Sequence, residues 1–430
     1  MNHIRIFLII IFISYNISAQ ESNYESSVKY EKKAVDNYLN RNYDLFLMNM
    51  KEAEKLRPNH PRLLYNLAAA YSLNNDKVNA LAELRKLVYM KLYYQPEKDS
   101  DFVSLWEDSR FKHIIDGFAV NLFHTGTSTT AFTFPEKDLI TESVAYDSLK
   151  DKFYLSSVYR RKIVTVDING KTGTFKNEGE DGLWSVFGIK IDSQRRILWA
   201  CTGAIEQTDI YSKNDLGKTA VFKYNIDSKK LVRKYELDNK FNGHLFGDLT
   251  LSPNGDVFIS DSKYNAIYKI DAGSDSLKIF ARPGRFISLQ GLDLSPDNKT
   301  LFFADYALGL FKLNLETNAI EEIQPPQNFT ALGIDGLYFY RNSLIATQNG
   351  VNPQRVVRIY LNNNMDSITV YNILESNNPY FDEITLGLQK ANDFYYIPNG
   401  QWGSFDEKGN IFPEDKLKEP RVLKIRLNGD

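Results

Sequence analysis

Glu142, Asp335 and Gln290 stand at equivalent points of a repeated strand pattern, each where a run of alternating apolar residues begins. Two carboxylates and a carboxamide brought to one place suit a hard cation such as Ca2+, which takes carboxylates, carboxamides and water together. A third carboxylate, Asp248, lies beside the corresponding point of another copy, next to Gly247. His244, in Gly243-His-Leu-Phe-Gly-Asp248, precedes such a start, and an imidazole is the side chain best suited to moving a proton near neutrality. Trp402, in Asn399-Gly-Gln-Trp-Gly-Ser-Phe405, offers an aromatic face to a small ring, and Phe187 with Val186 makes one wall apolar, as ligand pockets require. Each has a plainer role open to it. Carboxylates at strand ends bond free N–H groups, a histidine before a strand serves as a turn residue, and a tryptophan packs its own loop.

The elements that would position these groups are legible in a repeat. Gly247-Asp-Leu-Thr-Leu-Ser-Pro-Asn-Gly-Asp256 returns as Gln290-Gly-Leu-Asp-Leu-Ser-Pro-Asp-Asn-Lys-Thr300, with Ser252 and Ser295 43 residues apart. Each copy is a period-2 run, a Ser-Pro turn, a β-branched and aromatic run, and a third short strand. A four-stranded unit of about 40–50 residues is the signature of a propeller blade. Blade starts recur near Glu142, Phe187, Asp248, Gly291, Gly336 and Gly387, which predicts six blades of about 48 residues each. In a meandering blade the inner strand starts on the same face to which the second-to-third strand loop returns. Glu142, Gln290 and Asp335 therefore share one mouth of the channel with the long segments 203–219 and 399–420. The last strand, Arg421-Val-Leu-Lys-Ile-Arg-Leu427, is expected to close the ring against the first blade or against the connector, where Thr129-Thr-Ala-Phe-Thr-Phe134 reads as a strand.

Ahead of the blades, residues 26–118 carry helical periodicity. Tyr30, Ala34, Phe46, Met50 and Ala53 recur as Leu64, Ala68, Ala80, Leu84 and Leu87, 34 residues on. This resembles the tetratricopeptide repeat, in which small residues let two helices approach and large ones fill the interface. Lys33 and Asn37 depart from that pattern in the first copy. Two such repeats are fewer than a free-standing array needs, so the module should lean on its neighbour. A groove for a protein partner and a purely structural appendage both remain open for it.

Residues 1–19 read as a signal peptide: His3 and Arg5 precede the apolar run Ile6–Ile13, and Ser18-Ala19 supply small residues before Gln20. The run is too short to span a bilayer, so the mature chain is expected to be periplasmic or secreted and not membrane-spanning. A formal charge of −2 leaves no basic footprint for nucleic acid. With Cys201 alone, neither a disulfide framework nor a thiolate metal site is available within the chain. Walker loops, dinucleotide fingerprints and Gly-x-Ser-x-Gly elbows do not occur, which argues against phosphoryl transfer, nicotinamide chemistry and serine hydrolysis.

Thr141-Glu-Ser-Val-Ala-Tyr-Asp147, Gly247-Asp-Leu-Thr-Leu-Ser-Pro253, Gln290-Gly-Leu-Asp-Leu-Ser-Pro296 and Asp335-Gly-Leu-Tyr-Phe339 resemble the blade starts of the senescence-marker-protein/gluconolactonase family, with strictosidine synthase and paraoxonase as more distant relatives. That resemblance implies one divalent metal on the channel axis, held by a Glu, two Asn and an Asp, which polarises a lactone carbonyl while the Asp serves as base. Glu142 and Asp335 match the two acids, Gln290 stands where one Asn would be, Gly247 where the other would be, and Asp248 matches an acidic neighbour. The expectation is thus a signal peptide (1–19), a tetratricopeptide-like helical domain (26–118), a connector (119–135) and a six-bladed β-propeller (136–430). Its mouth would bind a small organic ligand or lactone with one divalent cation, Ca2+ first. Any enzymatic activity would be metal-dependent lactone or ester hydrolysis with Asp335 and His244 as catalytic groups; Glu142, Gln290 and Asp335 would hold the metal, and Trp402, Phe187 and Asp248 the ligand. The alternative is a non-enzymatic scaffold using the helices and the propeller rim.

Overall fold

The computed structural model describes residues 22–237 and 243–427; the signal-peptide reading falls outside them. Five α-helices come first: α1 (Asn23–Leu39), α2 (Tyr43–Leu56), α3 (Pro61–Leu73), α4 (Lys77–Tyr89) and α5 (Ser109–Asn121). Ser22 opens α1 with a capping box, its hydroxyl accepting from the Glu25 amide while the Glu25 carboxylate takes the Ser22 N–H. Helices α1 and α2 form one hairpin and α3 and α4 a second, and residues 34 apart play matching parts. Ala34 and Ala68, Met50 and Leu84, and Ala53 and Leu87 are all buried. Lys33, where the first copy departs from the repeat, is exposed. Phe102, Leu105, Phe111 and Phe118 close the second hairpin into a single apolar cluster.

Six sheets follow, as the repeat predicts. Five are consecutive four-stranded meanders, covering residues 144–176, 185–236, 246–281, 289–322 and 334–376 and called here blades I to V. Blade VI is made from both ends of the propeller. Gly387–Lys390, Asp393–Tyr396 and Arg421–Arg426 supply three strands, and Thr129–Thr133 adds the outermost, running antiparallel with Thr129 opposite Lys424. The ring therefore closes on the connector, which leaves no unpaired seam between first and last blade. A short strand, Thr125–Gly126, also pairs with the outer edge of blade V.

The Ser-Pro turns show how the repeat tolerates a length change. In blade III, Ser252 donates its amide to the Asp256 carbonyl, and Gly255 takes φ +96° inside the turn. Blade IV is one residue longer there: Ser295 bonds the Thr300 carbonyl and Asn298 takes the left-handed position at φ 58°, a conformation Asn adopts more readily than most residues.

The helical module rests on blade V. The Tyr93 amide donates to the Asn352 carbonyl at 2.7 Å, and Val351 joins the helical apolar cluster. Arg355 is fully buried there. Its Nη1 donates to the Met90 carbonyl at the C-terminus of α4, and its Nε to Gln348 Oε1. A guanidinium at the negative end of a helix offsets part of its desolvation cost. Among the described residues no helix is long and apolar enough to cross a membrane.

Candidate functional site

The inner strands carry a local irregularity at the place where the candidate residues sit. The pairing register slips between Val186 and Ile189, Phe246 and Leu249, Leu289 and Leu292, and Ile334 and Leu337. Each slip is a bulge of two residues, and bulges re-aim side chains. The pairs so enclosed are Phe187-Gly188, Gly247-Asp248, Gln290-Gly291 and Asp335-Gly336; Glu142-Ser143 and Leu386-Gly387 stand at the same point of blades I and VI. At the second position of three pairs the amide bonds a hydroxyl on the neighbouring strand: Ser143 to Ser156, Asp248 to Ser260 and Gly336 to Thr347. Where the second position is glycine in blades II and IV, adjacent inner strands touch there. A Cβ on Gly188 would lie 2.7 Å from the Gly247 carbonyl oxygen, and one on Gly291 would lie 2.4 Å from that of Asp335.

The first positions hold the chemistry. Glu142 Oε2 accepts from Trp402 Nε1 at 2.9 Å, and the indole lies parallel to Phe187 with ring centroids 6.3 Å apart. Asp335, 9% exposed, accepts through Oδ2 from Asn349 Nδ2 at 3.0 Å. Asn349 also donates to the Ile384 carbonyl and accepts from the Tyr306 hydroxyl at 2.9 Å. Burial, with the Asp248 and Glu383 charges, pushes Asp335 up to about 7 against the Asn349 bond. Burial first, then the charge of Asp335, raises Glu142 well above the usual carboxylate range, and the Trp402 bond only partly opposes this. An acid whose ionisation is made costly by burial and by a neighbouring carboxylate is a site for a retained proton or a cation.

The remaining candidates are less closely joined to this pair. Gln290 donates Nε2 to the Ser288 hydroxyl at 2.9 Å. Asp248 lies 2% exposed, and neither of its carboxylate oxygens has a well-formed hydrogen bond. Its Oδ1 is 2.9 Å from where a Gly188 Cβ would be, so it faces blade II, where the Lys190 charge opposes the rise that burial gives its pKa. His244 Nδ1 is 2.6 Å from Oδ2 of the buried Asp261, and its ring packs on Tyr264 at 4.5 Å between centroids. No contact joins it to Glu142 or Asp335.

For a divalent cation the donor set is short. Among the described residues no group of three or more His, Cys, Asp or Glu side chains is gathered in a metal-binding arrangement. Two carboxylates are present at the mouth, and a cation there would need the carboxamide of Gln290, turned from Ser288, together with water to complete its shell. Asn349 and Tyr306 belong to the site although neither was singled out in the sequence. Both lie in second-to-third strand loops, Tyr306 after Asp305 and Asn349 in Gln348-Asn-Gly350, so the topology that placed the other residues at the mouth places these too.

The fold and mouth define a six-bladed β-propeller with two acids, Glu142 half-buried and Asp335 buried, at one end of its channel and a helical module against one blade. No family model matches the chain, and no curated protein does. Solved structures resemble it in fold. A gluconolactonase from Xanthomonas campestris is 11% identical, with 70% of this chain and 89% of that one covered at a TM-score of 0.47. A luciferin-regenerating enzyme is 13% identical, covering 70% and 95% at 0.49. Virginiamycin B lyase from Staphylococcus aureus is 14% identical, covering 70% and 99% at 0.46.

Proposed function

We propose that this chain is an exported, gluconolactonase-like propeller that binds a small organic ligand, a lactone or ester, at the channel mouth and hydrolyses it with one divalent cation, Ca2+ first. The observation that carries the reading is the pair Glu142 and Asp335, acids from different blades held at one mouth by Trp402 and Asn349, with the Asp335 charge making ionisation of Glu142 costly. Glu142 and Asp335 would hold the cation with Gln290 as a third oxygen donor, and when bound it would polarise a carbonyl and acidify water. Asn349 fixes the Asp335 carboxylate, and near neutrality Asp335 exchanges a proton readily enough to act as base. Trp402 orients Glu142 and, stacked on Phe187, makes the apolar wall for the ligand. His244, oriented by Asp261, is a second proton carrier on the same face.

One observation favours a non-enzymatic scaffold instead: one oxygen of each acid and the amide of Gln290 are already engaged in local hydrogen bonds. In that reading the tetratricopeptide-like helices and the propeller rim contact protein partners. Thermal unfolding separates the two, since a cation that binds only the native state must raise the midpoint. After chelation, return of Ca2+, Mn2+, Mg2+ or Zn2+ singly is expected to raise the midpoint of the wild type but not of Glu142→Gln or Asp335→Asn. The responding metal should also support turnover in a lactone and ester panel. No shift with any of the four would remove the hydrolase and leave the scaffold.

A further inference from the structure

A cavity beside the mouth is shared between the two parts of the chain. A cleft of about 700 Å3 runs between the helical module and blades IV and V, within the size of small-molecule sites. From the helices it is walled by His60, Arg62, Tyr93, Tyr94 and Gln95, and from the propeller by Tyr306, Leu332, Asn349 and Val351. Its inner end is Asn349, the residue that holds Asp335. Asn349 thus stands between the cleft and Asp335, which does not itself line it.

Its lining has a definite chemical character. No acidic residue lines it. At the outer end, Glu31 is shared by Arg57 and Arg62, with Arg62 at 2.7 Å, so one carboxylate faces two guanidiniums and a positive charge is left over. Arg62 is largely solvent-exposed, and only its Nη2 is held by Glu31. His60 does not add to that charge, because burial and then the two arginines push its pKa down to about 3. Its Nδ1 is buried without a hydrogen-bond partner among the described residues, while other atoms of the residue help to line the cleft. Between the ends the walls are Pro61, Leu92, Leu332 and Val351 with the rings of Tyr93 and Tyr94.

We infer that this cleft binds a small anionic molecule with an aryl or acyl body, its anionic group at Arg62 and its uncharged end at Asn349. The helical module is then one wall of the binding site, and it selects ligands by the length and charge of the part remote from the acid pair. The inference rests on the mouth being a ligand site only for its inner end; the outer wall stands on the cleft itself.

The probe is 2-naphthoate, titrated into the full chain in the presence of EDTA and followed by its fluorescence. Saturable binding is expected, weakened at least about tenfold by Gln95→Trp, which fills the cleft from an exposed position, and about fivefold by Arg62→Gln. Uncharged 2-naphthol should bind about fivefold more weakly than the acid. Phe123→Ser, at an exposed site away from the cleft, should leave binding unchanged. Absence of saturable binding, or equal binding by wild type, Gln95→Trp and Arg62→Gln, would overturn the inference, and equal affinity for the naphthol would overturn its anionic part. Because the titration contains no free metal, a failed cation site leaves this result intact, and a failed cleft leaves the metal-dependent melting shift intact.

Discussion

Asp248 and Asp335 are both acids in inner-strand bulges, and they do opposite things. Asp335 occupies the first position of its bulge, where it meets Asn349 at the mouth, and glycine follows it. Blade III reverses the order: glycine comes first and Asp248 second, so its carboxylate is turned against Gly188 of blade II and lies buried with both oxygens unpaired. The same residue type in the same element becomes a mouth-facing group or an interior carboxyl according to a swap of two neighbours. The swap also leaves a gap, because Gly247 occupies the mouth-facing position and a Cβ built there meets nothing within 4 Å.

The strongest way to break this comparison is through the second positions. Gly291→Ala would put a methyl 2.4 Å from both the Asp335 carbonyl oxygen and the Leu337 amide, backbone atoms that cannot move without shifting the strand. The variant should lose about 1–3 kcal/mol in denaturant unfolding and lose the metal-dependent melting shift, because Asp335 moves with the strand. Retention of wild-type stability would show that the inner strands are not in the contact described.

A smaller effect is expected from pH. Asp335 has a folded pKa raised to about 7 from the unfolded 3.8, so between these values the native state holds a proton that the unfolded chain has released. Stability from this group is complete below about pH 4, declines as pH rises through the window, and is flat above about pH 8. The difference between wild type and Asp335→Asn, measured in EDTA, should show that decline, and saturating Ca2+ should remove it by keeping the carboxylate ionised. A difference that does not vary with pH would mean that Asp335 is ionised throughout.

The smallest effect sharpens the comparison. Gly247→Ala, at the open first position of blade III, should change stability by less than about 0.5 kcal/mol. The same site changed to Asn adds a carbonyl donor facing the mouth, and should tighten Ca2+ binding, read from the concentration dependence of the midpoint, without altering the metal-free protein.

Blade number and helical periodicity were legible because they are periodic: Ser252 and Ser295, or Ala34 and Ala68, report burial through spacing alone. The mouth was partly legible for the same reason, since an inner-strand start repeats with the blade. His244 illustrates where that ends. Its place before blade III marks it as rim-facing, but the ring is held by Asp261 Oδ2 while Oδ1 takes the Leu245 amide; in blade IV the counterpart Asp305 uses Oδ2 for the Ile287 and Ser288 amides. The sequence shows two similar repeats, and only side-chain geometry separates a ring from an amide as the partner.

What the sequence by itself determined is the set of groups periodicity controls: six strand-turn-strand units, two helical hairpins, and the first-position series that brings Glu142, Gln290 and Asp335 to one face. What only tertiary structure decided is what lies between units. The connector rather than blade I closes the ring, Asp248 turns inward, and the helices wall a cleft that Asn349 also lines. These depend on contacts between residues far apart in the chain, such as Arg355 with Met90. Hydrophobic periodicity records which face of an element is buried, but not which other element covers it.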